Sequence, residues 1–190
     1  SYGLNKPLGL PIKGEGIPVI PQPGTNRWSG VSLPWMAFGY GLSVTPLQTL
    51  TLYNAVANDG VMIKPIFVSE IKEWSKTIKK YNTEVINPKI CSQETLDKVR
   101  KVLENVVKKG TGSKLYSKDF SMAGKTGTAQ VNYKDKSKLY YASSFVGYFP
   151  ADQPKYSCIV VVHKPNVAAG YYGADVAGPV FKRIAQKIFT

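Results

Sequence analysis

The stretch from residue 121 to the C-terminus constrains the possible folds more than any other part of the chain. Three segments in it, at about 121–131, 142–149 and 156–163, are candidate β-strands. The last two are joined by the sequence PADQPK, a turn-forming loop of hairpin length. A helical pattern then begins near Asp175. Three successive strands followed by a helix predict an antiparallel sheet covered by helices, which is an α+β arrangement.

The first predicted helix begins at the sequence TPLQ. Thr45 is a suitable N-cap, Pro46 stands at the first helical position, and Gln48 stands at the reciprocal capping position. The helix should run to about Asn58 and stop before Gly60. Because its residues are apolar nearly all round, we expect the helix to be buried.

Two further helices are amphipathic. The second is capped by Ser92 and ended by Gly110, and the third begins near Asp175 with Pro179 in about its first turn. The apolar stripes predicted to face the core are Leu96, Val99, Leu103 and Val106 in the second helix and Phe181, Ile184, Ala185 and Ile188 in the third. The basic residues predicted to lie away from the stripe of the second helix are Lys98, Arg100, Lys101 and Lys108.

The remaining segments are less regular. Residues 1–39 are rich in glycine and proline and predict irregular chain that wraps a surface and is not a separate domain. Residues 66–74 have the composition of a strand, and residues 75–82 are a candidate hairpin partner for it.

Composition limits the number of domains and the kinds of partner. A chain of 190 residues that is 43% hydrophobic is long enough to bury one core, so one domain is expected. The net charge of +13 suits nucleic acid, an anionic membrane face or a polyanionic polymer as partner. Lys134, Lys136 and Lys138 lie between Tyr133 and Tyr140, a pattern that nucleic-acid binding or a solvated loop would explain. We favour the loop and expect no nucleic-acid partner.

Several kinds of functional site are not expected. Cys91 and Cys158 form neither a disulfide framework nor a metal-ligand spacing, and His163 is the only histidine. We therefore expect no metal site, no cofactor and no histidine-based triad. The longest aliphatic run, 158–162, is far shorter than the roughly 20 residues that span a bilayer.

The strand at 121–131 carries an unusual pattern of lysine, glycine and threonine. In a strand, Lys125 and Gly127 face one side, and Thr126 and Thr128 face the other. A glycine inside a strand often marks close approach by a ligand or by another backbone. A lysine and two hydroxyls beside such a gap can hold a peptide carboxylate while the strand edge pairs with the peptide main chain. A β-bulge with a surface lysine explains the tripeptide equally well.

The surroundings of this tripeptide decide between the two interpretations. Lys125-Thr126-Gly127 matches the KTG signature of the serine acyl-transferases that react with penicillin. The chain also contains, in order, FGYGLSVTPLQTLTLYNAVANDGVMIKP (38–65), AGKTGTAQ (123–130), SFVGYFPADQPKYSCIVVV (144–162) and YYGADVAGPVFKRIA (171–185). Over its whole length it resembles the C-terminal half of the transpeptidase domain of class B penicillin-binding proteins, and most of all the division-specific, septal type.

The resemblance implies roles for four residues. Lys125 would supply positive charge and hydrogen bonds beside the serine of the family's S-x-N motif, which is not in this chain. Thr126 would help to hold the substrate carboxylate, and Gly127 would give clearance. The backbone N–H of Thr128 would be one donor of the oxyanion hole. The implied fold is an antiparallel sheet with helices on both faces, in which the KTG strand borders the active-site groove.

The resemblance also implies a biological setting. Enzymes of this family attack the D-Ala-D-Ala end of a peptidoglycan stem peptide, form a serine acyl-enzyme and cross-link neighbouring stems, and β-lactam antibiotics trap the acyl-enzyme. The implied partners of the parent protein are a membrane glycan polymerase and division proteins. Its implied location is the extracytoplasmic face of the bacterial membrane, with an N-terminal transmembrane anchor outside this chain.

The nucleophile motif expected for such an enzyme is missing. The spacing S-x-x-K occurs once, at Ser69–Lys72, in a predicted strand where positions three apart face opposite sides, and S-x-N does not occur. We therefore interpret residues 1–190 as the C-terminal part of a single transpeptidase domain, inactive alone and expected to self-associate through exposed apolar surface.

Two alternatives remain open. The chain could belong to a β-lactamase or carboxypeptidase, although the TPLQ helix segment and the YFPADQPKY hairpin fit class B transpeptidases better. It could also be a non-catalytic module that senses wall peptides or β-lactams. Covalent labelling by a penicillin distinguishes a complete acylation site from an incomplete one.

Overall fold

A three-stranded antiparallel sheet forms the centre of the structure, which is a computed structural model that describes residues 3–132, 135 and 137–189. Its strands are β5 (Ala123–Val131), β6 (Tyr140–Phe149) and β7 (Tyr156–His163), in the order β5-β6-β7. All three strand predictions are confirmed with small shifts at their ends. The α+β class is confirmed as well, because helices pack on this sheet.

The other elements are short strands and helices. The helices are α1 (Ser32–Ala37), α2 (Pro46–Ala57), α3 (Gln93–Lys109), α4 (Gly173–Val176) and α5 (Gly178–Phe189), with a 3-10 turn at Ser113–Leu115. The remaining strands are β1 (Met62–Ile63), β2 (Glu70–Glu73), β3 (Lys76–Lys80) and β4 (Val85–Asn87). Among the described residues, no helix has the length and apolar character that crossing a membrane requires.

Side chains of the sheet alternate between two cores. Phe145 and Phe149 of β6 pack against Phe181 of α5, with ring centroids 4.7 Å and 5.6 Å away. Tyr148 faces the opposite side and packs with residues of α2 and α3 such as Val56 and Leu103. Helices therefore cover both faces of the sheet, as the resemblance implies.

Helix α2 begins as predicted but is buried on one side only. The Thr45 hydroxyl accepts from the N–H of Gln48 at 3.1 Å, and the Gln48 side chain accepts from the N–H of Thr45 at 2.9 Å. Thr51, Ala55 and Val56 are buried. The expectation that this helix is buried all round is wrong, because its three leucines are half-exposed.

The second predicted helix, α3, also has its predicted ends, with Ser92 as N-cap and Gly110 as C-cap. Arg100 corrects the prediction that the basic residues point away from the core. Its guanidinium donates to the carbonyls of Val56 at 2.8 Å and Ala57 at 2.9 Å. These carbonyls belong to the last turn of α2, where intrahelical donors are lacking. Arg100 thus ties α3 to the end of α2.

The terminal helix is divided, which the sequence did not predict. Helix α4 begins at Gly173, before Asp175, and α5 begins at Gly178. Pro179 explains the division, because it has no N–H to donate to the carbonyl four residues earlier. Phe181 and Ala185 are buried as predicted, but Ile184 and Ile188 are exposed, so the predicted stripe is too wide.

The irregular and hairpin segments agree with the predictions in outline. Within residues 3–39, the regular features are α1 and a bridge between Val19 and Ser43. Strands β2 and β3 form the predicted hairpin over a narrower range, with Trp74 at its turn in the left-handed region at φ 55°. Pairing of β1 with β4 was not predicted.

The basic stretch near residue 135 is only partly described. Tyr133, Lys134 and Lys136 lie outside the described residues. Lys138 is exposed and pairs with Asp135 at 3.4 Å, as expected of a solvated loop.

Tyr148 gives a test of this core. Burial raises the pKa of Tyr148 to about 12 from its ordinary value of 10.0, and its hydroxyl has no hydrogen-bond partner among the described residues. The folded state keeps the proton between pH 10 and 12 while the unfolded state loses it, so stability falls as the pH rises through this window. Between pH 8 and 12, we expect the free energy of unfolding to fall by about 2 kcal/mol less in Tyr148→Phe than in the wild type. Urea unfolding at each pH measures this difference.

The exposed Tyr156 supplies the control, because Tyr156→Phe removes a phenol hydroxyl that is not buried in this core. At neutral pH, the free energy of unfolding of Tyr148→Phe should lie within about 1 kcal/mol of the wild-type value. A loss of about 3 kcal/mol there would show that the hydroxyl makes a stabilising hydrogen bond.

Candidate active site

Strand β5 carries all four predicted site residues at the edge of the sheet. In the order β5-β6-β7, its one strand partner among the described residues is β6. The register runs without a shift from Ala123 opposite Tyr148 to Val131 opposite Tyr140. The β-bulge interpretation of the glycine is therefore wrong, and Lys125, Thr126, Gly127 and Thr128 are consecutive residues of a regular edge strand.

Two contacts show which main-chain groups of β5 face the open edge. The N–H of Gln130 donates to the Tyr40 hydroxyl at 3.3 Å, and the carbonyl of Thr126 accepts from Lys125 Nζ at 3.0 Å. Neither partner belongs to β6. In an antiparallel pair, both main-chain groups of a residue point the same way and the direction alternates. The N–H and carbonyl of Thr128 therefore also point outward.

The Lys125 ammonium lies along this edge. Its side chain is exposed, and Nζ is 3.0 Å from the carbonyl oxygen and 3.3 Å from the hydroxyl of Thr126. The Thr126 hydroxyl is also 3.0 Å from that of Thr111, in the loop after α3. Because an ammonium can only donate, the Thr126 oxygen accepts from it. The edge thus presents a positive charge, two hydroxyls and an outward N–H within a few residues.

Glycines allow a close backbone approach behind this edge. A Cβ on Gly127 would lie 2.5 Å from the Ser144 hydroxyl. A Cβ on Gly173 would lie 2.5 Å from the Gly127 carbonyl oxygen and closer still to that of Ser144. The N–H of Gly173 donates to the Thr128 hydroxyl at 3.0 Å. The start of α4 therefore rests directly on the sheet and fixes the Thr128 side chain, so that this hydroxyl already has a donor.

A tyrosine cluster beside the strand was missed from the sequence. Tyr141 stacks on Tyr171 with ring centroids 4.3 Å apart, and Tyr171 lies 4.4 Å from Tyr172. The hydrogen bond from Tyr171 to the Tyr172 hydroxyl raises the pKa of Tyr171. Gln130 donates to the Tyr141 hydroxyl at 3.1 Å, which joins the cluster to β5. Two consecutive tyrosine pairs, at 140–141 and 171–172, were the available signal.

The S-x-x-K sequence lies apart from this strand. Ser69 precedes β2 and Lys72 lies within it, in a hairpin separate from the central sheet. Lys72 Nζ is 2.7 Å from the Glu70 carboxylate, and both side chains are partly exposed. A lysine that activates a serine must lie beside it on the same helix face. This motif has a different geometry.

The described residues give no sign of a metal centre, since no group of three or more His, Cys, Asp or Glu side chains lies close enough to hold an ion. Cys91 and Cys158 are both free thiols. Burial raises the pKa of Cys158, as expected for a half-buried residue in a strand.

Comparison with known proteins identifies the family of the chain. The model of the penicillin binding protein transpeptidase domain matches residues 1–186. The chain belongs to this family. Stage V sporulation protein D of Bacillus subtilis is 33% identical over 193 residues, which cover 98% of the chain. Peptidoglycan D,D-transpeptidase FtsI of Escherichia coli is 32% identical over 185 residues, which cover 96% of it.

A solved structure supports the fold. The transpeptidase domain of Burkholderia pseudomallei penicillin-binding protein 3 superimposes with a TM-score of 0.78 at 29% identity. The match covers 99% of this chain and 54% of that domain chain. The chain spans 29% of the length of both the sporulation protein and the Escherichia coli transpeptidase. The penicillin-binding transpeptidase fold is therefore shown, over a part of each relative's length.

The contact of α4 with the sheet can be tested with one methyl group. Gly173→Ala would place a carbon against the backbone of Gly127 and Ser144, which cannot rotate away. We expect a loss of roughly 2 kcal/mol or more in urea unfolding and a shifted Thr128 amide resonance in NMR spectra. Gly127→Ala is the matched comparison, because its added carbon meets the Ser144 side chain and not backbone, so it should lose less. Equal losses would show that α4 does not rest on the strand.

Proposed function

We propose that the chain is the C-terminal part of a serine-type peptidoglycan D,D-transpeptidase domain that binds the donor stem peptide along β5. The observation that carries this proposal is the outward main-chain group of Thr128 next to Lys125 and Thr126 at an open strand edge. An extended peptide can add to such an edge through main-chain hydrogen bonds. Family membership and the relatives named as D,D-transpeptidases support the reaction class.

The proposed roles follow from the chemistry of each group. The Lys125 ammonium attracts the terminal carboxylate of the peptide, and the Thr126 hydroxyl donates to that carboxylate. The N–H of Thr128 stabilises the negative charge that develops on the carbonyl oxygen under attack. Gly127 contributes backbone without a side chain at the point where the peptide crosses. The attacking serine belongs to a part of the parent protein outside these 190 residues.

The biological setting is part of the same proposal. We infer that the parent protein cross-links D-Ala-D-Ala stem peptides, is acylated by β-lactams and works in septal wall synthesis. It would be anchored at the extracytoplasmic face of the membrane and associate there with a glycan polymerase and division proteins. The relatives that support this inference are the sporulation protein and FtsI.

Acylation tests the role of Lys125. In the parent protein, Lys125→Ala should slow labelling by a fluorescent penicillin by about 100-fold or more, because the charge that holds the β-lactam carboxylate is lost. Lys101→Ala, at an exposed position of α3, is the control and should label like the wild type. Rates are read from gel fluorescence against time.

Three outcomes would change the proposal. Labelling of the isolated 190-residue chain would show that it contains a nucleophile. Unchanged labelling of Lys125→Ala in the parent would remove this lysine from the site. A parent that binds penicillin without forming a covalent bond would favour the sensor module.

Self-association of the isolated chain is a separate expectation. An apolar groove of about 260 Å³ lies between α2 and α3 and is lined by residues such as Leu52, Tyr53 and Val99. Exposed apolar surface of this kind favours association with a second copy. Sedimentation velocity should show an average mass that rises with protein concentration, and Leu52→Glu should abolish the rise. A monomer at every concentration would contradict it.

A further inference from the structure

We propose that Tyr40 is a specificity-determining residue that ends main-chain pairing along β5, so that the donor peptide is recognised by pairing at its terminal dipeptide only. The proposal rests on the proposed function of this edge as a peptide-binding strand. Tyr40 lies outside the KTG sequence, and its proposed role is to limit the length of peptide that can pair with the edge of β5.

The local sequence Gly-Tyr-Gly places Tyr40 against the strand. Gly39 and Gly41 have φ angles of 90° and 75°, which residues other than glycine rarely adopt. The chain therefore turns sharply on both sides of Tyr40. The N–H of Tyr40 donates to the Trp35 carbonyl at 3.0 Å, and the two rings meet edge to face with centroids 5.9 Å apart. The tyrosine ring is thus held by the end of α1.

The Tyr40 hydroxyl accepts a hydrogen bond from the outward main-chain N–H of Gln130. The donor–acceptor distance is 3.3 Å. The Gln130 side chain is bound elsewhere, since it donates to the Tyr141 hydroxyl at 3.1 Å. The main-chain nitrogen and the side-chain amide nitrogen of this residue therefore each donate to a partner. Along β5 toward its C-terminal end, the next outward N–H after that of Thr128 is the Gln130 N–H, which already donates to Tyr40.

Because hydrogen-bonded pairs in an antiparallel ladder recur every two residues, this contact limits the length of peptide that can pair with β5. A peptide residue that pairs with Thr128 places the next residue, and its carboxylate, beside Thr126 and Lys125. That arrangement fits a peptide whose penultimate residue is opposite Thr128. The next possible pair lies two peptide residues earlier and needs the N–H of Gln130. Because Tyr40 holds that N–H, pairing stops at the terminal dipeptide.

The hydrogen bond itself is tested by amide exchange in the isolated chain. Tyr40→Phe keeps the ring against Trp35 and removes only the hydroxyl. Exchange of the Gln130 amide, followed by NMR, should become roughly fivefold faster, which corresponds to about 1 kcal/mol for one hydrogen bond. Tyr81→Phe, on the chain after β3, is the control and should leave that amide unchanged. Unchanged exchange in Tyr40→Phe would overturn the proposal.

Peptide titration tests the length limit. The probes are acetyl-D-Ala-D-Ala and acetyl-L-Ala-L-Lys-D-Ala-D-Ala, added to 15N-labelled chain. The wild type should bind both with affinities within about twofold and show shifts at Thr126 and Thr128 but not at Gln130. Tyr40→Phe should bind the longer peptide roughly fivefold more tightly than the shorter one, with a new shift at Gln130, because one more main-chain hydrogen bond can form.

The outcomes separate this proposal from the one on which it rests. If the wild type already shifts at Gln130 and prefers the longer peptide, the edge binds peptides but Tyr40 does not limit them. If neither protein shifts along β5 with either peptide, the edge is not a peptide-binding strand and both proposals fall. Amide shifts of α3 serve as the check that each variant is folded.

Discussion

The unbroken pairing of β5 with β6 is the constraint on which the rest of the molecule depends. It fixes which side chains face each core, with Tyr148 toward α2 and α3 and Phe145 toward α5. The same pairing decides which main-chain groups of β5 remain at the edge. A slip of one residue would exchange the two faces and turn the Thr128 N–H inward. The hydrophobic cores and the candidate site therefore share one register.

Most of the fold could be predicted because its signals are local. The TPLQ cap, the Ser92 cap and Gly110 each act within one turn of helix, and the structure places the helix ends where they indicate. The prediction of burial around α2 failed for a different reason. Whether a half-apolar surface is covered depends on neighbours distant in sequence, and a helical pattern does not contain that information. The same applies to Ile184 and Ile188, which fit the stripe of α5 and are exposed.

The candidate site shows the same division between local and distant information. The KTG sequence identified the strand and its four residues. Thr111 and Gly173 contact two of those residues, Thr126 and Thr128, and Tyr40 contacts Gln130 further along the same strand. The three come from three other parts of the chain. No periodicity or spacing joins them to β5. They belong to the turn after α3, to a segment with two glycines at positive φ angles and to the start of α4.

Arg100 also bears on which substitutions this protein could tolerate. The chain has only three arginines among 25 basic residues, and one of them contacts two carbonyls at the end of α2 together with Asp59. A planar guanidinium can donate in several fixed directions at once, whereas an ammonium is a compact point charge. An exchange of Arg100 for lysine would keep the positive charge but lose the planar group that donates to several acceptors at once. At this position, side-chain shape matters more than charge, even in a protein whose basic residues are mostly lysine.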